Sequence, residues 1–247
     1  MGLGISSLIR FWDRQIGYSK SDPVKSFVKY LAARSNTSLV QRVLAYSILR
    51  SEFNNLGGIE VLSKREAIWE RALAEVTKGT ITYVEFGVFR GDSISYFSEN
   101  NSDKDSIFIG LDSFEGLPEA WAGNSVGFFT TLGVAPQNLD QRTHFIKGFF
   151  NETWEILHSK IIGRTNLIVH FDADLYSSTL FALTKMDSLH QKYIAIFDEF
   201  SGDEVRALSD YLASHGAKVD FLAMQKWRGY PEVVLCEITP IGFEADL

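Results

Sequence analysis

From residue 80 onward, short β-type runs alternate with helical segments, and that alternation restricts the chain to few folds. Strands are predicted near residues 81–86, 106–111, 143–147, 166–171, 193–198, 217–224 and 232–238. Helices are predicted near 92–100, 151–160, 177–190 and 202–215. Such a pattern buries both faces of a mostly parallel sheet under helices. The last two strands are separated only by residues 225–231, too few for a crossover helix, so an antiparallel hairpin is expected there. The expected fold is α/β: a seven-stranded, mostly parallel sheet with an antiparallel C-terminal strand.

Residues 1–78 read instead as a helical N-terminal cap ahead of a sheet domain over 79–247. Ile5, Leu8, Ile9, Phe11 and Trp12 form an apolar stripe, and Asp22-Pro23 has the form of a helix start. Helical spacing recurs over 38–53 and 59–76, with a glycine turn over 54–58. These stripes suit core packing or a roof over a ligand site, and they are the candidate homodimer interface. Met1-Gly2-Leu3-Gly4-Ile5-Ser6 fits the myristoylation pattern. At about 150 residues per domain, the 247 residues correspond to one large domain or one with an appendage.

Composition narrows the partners. With 24 basic and 31 acidic residues the formal net charge is −7, which disfavours nucleic acid. Cys236 is the single cysteine, so neither an intrachain disulfide nor a cysteine-built metal site is expected, in keeping with a cytoplasmic location. No apolar run approaches a membrane span, and the start lacks the form of a secretory signal.

The stretch Thr82-Tyr83-Val84-Glu85-Phe86-Gly87-Val88-Phe89-Arg90-Gly91-Asp92-Ser93 reads as strand, glycine turn and helix start. Such a turn lets a ligand approach bare backbone and the first helical N–H groups. The spacing Glu-x-Gly-x-x-x-Gly departs from the Gly-x-Gly-x-x-Gly of dinucleotide enzymes and points to a smaller nucleoside. The same pattern also serves as an ordinary βα turn. In open α/β sheets ligands bind beyond the carboxyl ends of the strands, and here those ends are acidic. They carry Glu85, Asp112, Asp172 with Asp174, and Asp198 with Glu199. Asp112 is a candidate for ribose hydroxyls or a turn cap. Asp172, Asp174, Asp198 and Glu199 on adjacent strand ends suit a hard cation such as Mg²⁺, Mn²⁺ or Ca²⁺. Alternatively they are solvated acids or partners of Arg90, Arg206 or Lys185. Residues 112–142, with two glycine-rich patches, form a candidate lid.

Five segments occur in order: Glu-Phe-Gly-Val-Phe-Arg-Gly (85–91), Asp-Ser-Phe-Glu-Gly-Leu-Pro (112–118), Lys-Gly-Phe-Phe (147–150), His-Phe-Asp-Ala-Asp-Leu-Tyr-Ser-Ser-Thr (170–179) and Phe-Asp-Glu-Phe (197–200). Together they resemble the macrocin-type O-methyltransferase family (TylF/MycF), over roughly half the chain. That family is similar in fold to catechol and caffeoyl-CoA O-methyltransferases, class I enzymes with a Rossmann-like sheet ending in an antiparallel strand. The resemblance implies S-adenosylmethionine as methyl donor and a divalent cation, usually Mg²⁺. It implies that Glu85 and Gly87 hold the donor's amino-acid end, within a binding stretch of Glu85, Phe86, Gly87, Arg90, Gly91 and Ser93. It assigns Asp112 to the ribose, with Ser113 and Phe114 flanking the adenosine, and Asp172 lies beside the donor. It assigns the cation to Asp172, Asp198 and Glu199. Glu199 departs from the usual Asp or Asn, and Asp174 is the substitute ligand.

The implied chemistry is in-line displacement of a sulfonium methyl by a hydroxyl oxygen. A bound cation lowers the hydroxyl pKa, and Asp172 or Asp174 accepts the proton. His170 is the alternative base, or a buried residue supporting the acids. Trp121, Phe128, Phe129 and Trp227 either line an acceptor cleft or belong to the core. The acceptor is expected to be a sugar hydroxyl on a glycosylated small molecule or glycan, with a catechol as the alternative. Two other classes compete: a nicotinamide-dependent oxidoreductase, which the glycine spacing disfavours, and a non-catalytic binding protein, which the intact acids disfavour.

Overall fold

The computed structural model describes residue 45 and residues 59–76, 79–137 and 140–243. Met1–Leu44 and Ala45–Leu247 are separate units, and everything below concerns the second. Apart from Ala45, the helices and turn expected within 1–58, the Asp22-Pro23 start and the Met1–Ser6 pattern lie outside the described residues.

The elements in chain order are β1 (Glu60–Leu62), α1 (Arg65–Glu75), β2 (Thr82–Phe86), α2 (Asp92–Glu99), β3 (Ile107–Asp112), β4 (Thr143–Lys147), α3 (Phe150–Ile161), β5 (Leu167–Phe171), α4 (Tyr176–Asp187), β6 (Tyr193–Phe197), a wide helical turn (Phe200–Glu204), α5 (Val205–His215), β7 (Lys218–Trp227) and β8 (Tyr230–Thr239). One sheet of eight strands runs β1-β7-β8-β6-β5-β2-β3-β4. All pairings are parallel except those of β8, which opposes both β6 and β7. The expected parallel sheet with an antiparallel C-terminal strand is therefore present.

Two expectations change. The sheet has eight strands, not seven, because β1 pairs with β7 over Glu60, Val61 and Leu62. The helix expected over 59–76 therefore starts only at Arg65. The apolar spacing of Val61 and Leu62 fits either structure, and a three-residue strand is too short to display a period of two. The β7–β8 hairpin is also longer than expected, closing at Arg228-Gly229, both at positive φ.

Strand residues alternate between two cores. Val84, Phe86, Val169, Phe171, Ala195 and Phe197 pack with Trp154 and Leu157 of α3, Leu183 of α4 and Leu208 of α5. Tyr83, Ile168, Ile194 and Ile196 face Ile68 and Trp69 of α1 and Ile94 and Phe97 of α2. A fully buried Phe or Leu contributes about 1.5–3 kcal/mol, so these two layers fix the strand register firmly. Strand order reverses between β2 and β5, opening a crevice beyond their carboxyl ends.

Candidate active site

A cavity of about 630 Å³ lies in that crevice. Gly87, at its wall, has φ of 94°, and a Cβ there would stand 1.9 Å from the carbonyl oxygen of Asp172. Only glycine lets the end of β2 pass so close to the end of β5. The turn after Gly87 is closed by its own bonds. Gly87 N–H donates to Leu111 O (2.9 Å) and Gly91 N–H to Val88 O (2.9 Å).

Asp112, at the tip of β3, is bound into this turn. Its Oδ2 accepts from the N–H groups of Val88 (2.8 Å) and Phe89 (2.9 Å), and its Oδ1 from Phe114 N–H (2.6 Å). A carboxylate offers about four acceptor positions, so about one remains for a ligand hydroxyl. Asp112 therefore caps the turn and also lines the cavity. The turn amides expected to face a ligand are largely engaged by this carboxylate. A phosphate would find few donors and a negative charge, whereas a nucleoside hydroxyl would find an acceptor.

The second wall is acidic. Asp172 N–H donates to Phe86 O (2.9 Å) and Asp198 N–H to Phe171 O (3.1 Å), carrying the parallel ladder one residue past the strand ends. Asp172, Asp174, Asp198 and Glu199 all line the cavity. Burial, then the neighbouring Asp198 and Asp174, pushes the Asp172 carboxyl well above the usual range. Burial, with Glu199 and Asp198 close by, raises Asp174 to about 8. Asp174 holds a left-handed φ of 59°, as do Phe89 (50°) and Phe129 (64°) on the same cavity. Non-glycine residues adopt that conformation at a cost of about 1–3 kcal/mol each, and they gather at functional sites.

Behind the rim lies a buried polar track on the α1–α2 face of the sheet. Glu85 and His170 are register partners across β2 and β5. Ser93 Oγ donates to Glu85 Oε1, and Tyr83 Oη lies 2.8 Å from His170 Nδ1. His170 Nε2 stands 3.6 Å from Asp198 Oδ1, and neither atom has a hydrogen-bond partner among the described residues. Burial raises Glu85 to about 8, against the lowering effect of the Ser93 hydroxyl.

Of the residues singled out from sequence, Gly87, Asp112, Ser113, Asp172, Asp174, Asp198 and Glu199 meet on the cavity. Phe129 joins them, and the other residues named as site candidates do not line it. Phe86 and Phe114 are core side chains. Glu85, Ser93 and His170 are buried behind the wall, with His170 Nε2 3.6 Å from Asp198 Oδ1. Gly91 caps α2 in the left-handed conformation. Arg90 is exposed, with its guanidinium 4.9 Å from the Phe89 ring centre. Among the four aromatics considered for an acceptor cleft, Phe129 lines the cavity. Trp121 and Phe128 pack against Phe129, whereas Trp227 is 54% exposed in the β7–β8 hairpin with Arg228 over its ring. The candidate lid folds on itself through Gly127 N–H to Leu117 O (2.9 Å) and Gly133 N–H to Phe114 O (2.7 Å). It is tied to α4 by Ser177 Oγ donating to Glu119 Oε1 (2.7 Å).

Two residues had no signal in the sequence. Arg65, the first residue of α1, sets its guanidinium 2.8 Å from Asp198 Oδ2 and lines the cavity. It stands where Arg90, Arg206 or Lys185 was considered as partner to the acids. Arg206 instead covers Tyr176 and Lys185 lies over Trp154. Glu204 is wholly buried below the rim, accepts the Glu199 N–H (3.0 Å), and is held well above the usual carboxylate range, first by burial and then by Asp172.

The residues present do not fit the expected divalent cation as they stand. Oxygen-only donors suit Mg²⁺ in kind. Yet among the described residues no three His, Cys, Asp or Glu side chains gather to hold an ion, and Asp198 already carries a guanidinium.

No protein-family model matches the chain, and a search of curated proteins finds no match. Solved structures do resemble it. CalS11, a calicheamicin methyltransferase, is 17% identical with a TM-score of 0.49, covering 92% of this chain and 96% of that one. An O-methyltransferase from Bacillus cereus in complex with SAH is 12% identical with a TM-score of 0.48, covering 94% and 99%. The O-methyltransferase TomG from Streptomyces achromogenes, involved in tomaymycin synthesis and in complex with SAM, is 12% identical with a TM-score of 0.45, covering 88% and 96%.

Proposed function

We propose that this chain transfers a methyl group from S-adenosylmethionine to a hydroxyl oxygen, with a sugar on a glycosylated small molecule or glycan as the acceptor. The observation that carries this reading is the charge of the cavity wall. Among the described residues five acids line it, Asp112, Asp172, Asp174, Asp198 and Glu199, against one cation, Arg65. A sulfonium bearing an ammonium group suits such a wall, and a pyrophosphate does not. That contrast favours a methyl donor over a nicotinamide cofactor. The ordered motifs that resemble macrocin-type O-methyltransferases point the same way.

In this reading Gly87 gives the donor access to backbone, and Asp112 accepts one ribose hydroxyl at Oδ1. Phe129, Phe149, Phe181, Asn151 and Ser178 also line the cavity, and aromatic rings with small polar groups suit a sugar ring as acceptor. Asp172 or Asp174 takes the hydroxyl proton as the oxygen bonds to the methyl carbon. The carbon–sulfur bond breaks, and its electron pair stays on sulfur as the neutral thioether. Burial and the neighbouring acids raise both carboxyls above their usual range, Asp174 to about 8. The positive donor lowers their pKa values, so the base forms where and when it is needed. Holding both reactants in near-attack geometry supplies much of the remaining acceleration. A divalent cation held by Asp172, Asp198 and Glu199 would lower the pKa of the hydroxyl; the oxygen donors favour it and the Arg65–Asp198 pair opposes it.

The test is a labelled-methyl screen with the full chain against glycosides and catechols. Label on a glycoside is expected. Label on catechols alone would move the acceptor to phenols, and no transfer to any hydroxyl would overturn the reading.

A further inference from the structure

Asp198 is a carboxylate almost sealed from water, its side chain 4% exposed. Its Oδ1 has no hydrogen-bond partner among the described residues, and its Oδ2 pairs with Arg65 at 2.8 Å. A buried carboxylate without a counter-charge either takes up a proton or recruits a cation. Here the counter-charge comes from the chain. Arg65 arrives from a rigid element, because Ile68, Trp69 and Ala72 of α1 are buried against the sheet just beyond it. The Arg65 side chain is 49% exposed and lines the cavity, so the charge reaches Asp198 from the ligand side.

We propose that Arg65 is the resident cation of this rim, a positioning residue that fixes Asp198 and denies that carboxylate to a divalent ion. Oxygen ligands sit about 2.0–2.6 Å from Mg²⁺ or Ca²⁺. An ion bound at Asp198 Oδ2 would therefore share that oxygen with a guanidinium nitrogen, two cations within a few ångströms. Like charges at that range repel, so the ion pair must break before an ion binds there. The acids alone suit a hard cation; the acids together with Arg65 do not. This inference does not rest on methyl transfer. It holds or fails as a property of ion binding.

The experiment measures Mn²⁺ binding to the full chain by electron paramagnetic resonance, with no methyl donor or acceptor present. The native protein and Arg65→Lys, which keeps the charge, are expected to bind weakly. Arg65→Ala is expected to bind roughly tenfold more tightly or better, because the freed carboxylate gains the ion. Adding Asp198→Asn to Arg65→Ala is expected to abolish that gain. Circular dichroism checks folding, and Arg65→Gln is read in the same way if the alanine variant does not fold. Equal Mn²⁺ affinity with and without the arginine charge, including no binding by either protein, would overturn the proposal. So would a lysine variant that binds as tightly as the alanine variant.

Discussion

Gly87 is the residue at which the crevice is most sharply determined. An added methyl would lie 1.9 Å from the Asp172 carbonyl oxygen, a backbone atom that cannot rotate away, at a φ of 94° that alanine avoids. Gly87→Ala is expected to cost on the order of 3 kcal/mol of stability and to abolish nucleoside binding, read by thermal melting and calorimetry. A variant that melts like the native protein would show that the two strand ends are not so closely opposed. Glu85 gives a pH signature. Its usual pKa of 4.5 is raised to about 8 in the fold, so the folded state favours the neutral acid. The stability this supplies is complete below about pH 4.5 and is lost as pH rises through about 8. Stability of the ligand-free protein should therefore fall between about pH 5 and pH 8, by an amount on the order of a few kcal/mol. Glu85→Gln, neutral throughout, should reduce that slope, the remainder coming from Asp172, Asp174 and Glu204, which are raised in the same direction; an unchanged slope would assign the whole effect to those acids.

Among the elements, the loop between β3 and β4 connects sequence to site most directly. A Cβ on Gly116 would approach Gly127 O to 2.3 Å, and Gly116 itself has φ of 89°. Gly116→Ala should unfasten the loop locally, giving faster proteolysis within 113–137 with little change in global melting, since few core residues are involved. Equal cleavage rates would show that the loop is held elsewhere. Much at this scale was legible beforehand. Short β-type runs alternating with helical segments marked β2 to β8, and the acids closing β3, β5 and β6 fell at the crevice because parallel strands share one carboxyl end. β1 was not legible: three residues inside a helical apolar pattern carry no period of their own. Arg65 was hidden for a related reason. Nothing near Ser63 and Lys64 marks a partner to Asp198, since only the docking of α1 brings the two together. The engagement of Asp112 by Val88 and Phe89 was likewise invisible, because a turn's amides look free until the neighbouring strand tip is placed.

For the whole molecule, the sheet gathers excess negative charge at one crevice. The acids there are kept partly neutral by burial, which leaves the crevice poised for a cationic ligand. Binding of such a ligand is expected to draw protons from Asp172 and Asp174, whose carboxyls are raised by burial, because a positive charge favours the carboxylate form. Among the described residues no helix is long and apolar enough to cross a membrane. The decisive measurement is a calorimetric titration of the full chain with S-adenosylmethionine at about pH 7, in two buffers of different ionisation enthalpy. Saturable binding at one site with net release of protons is the expected result. Absence of binding, or binding with proton uptake, would contradict a methyl-donor site built on these acids.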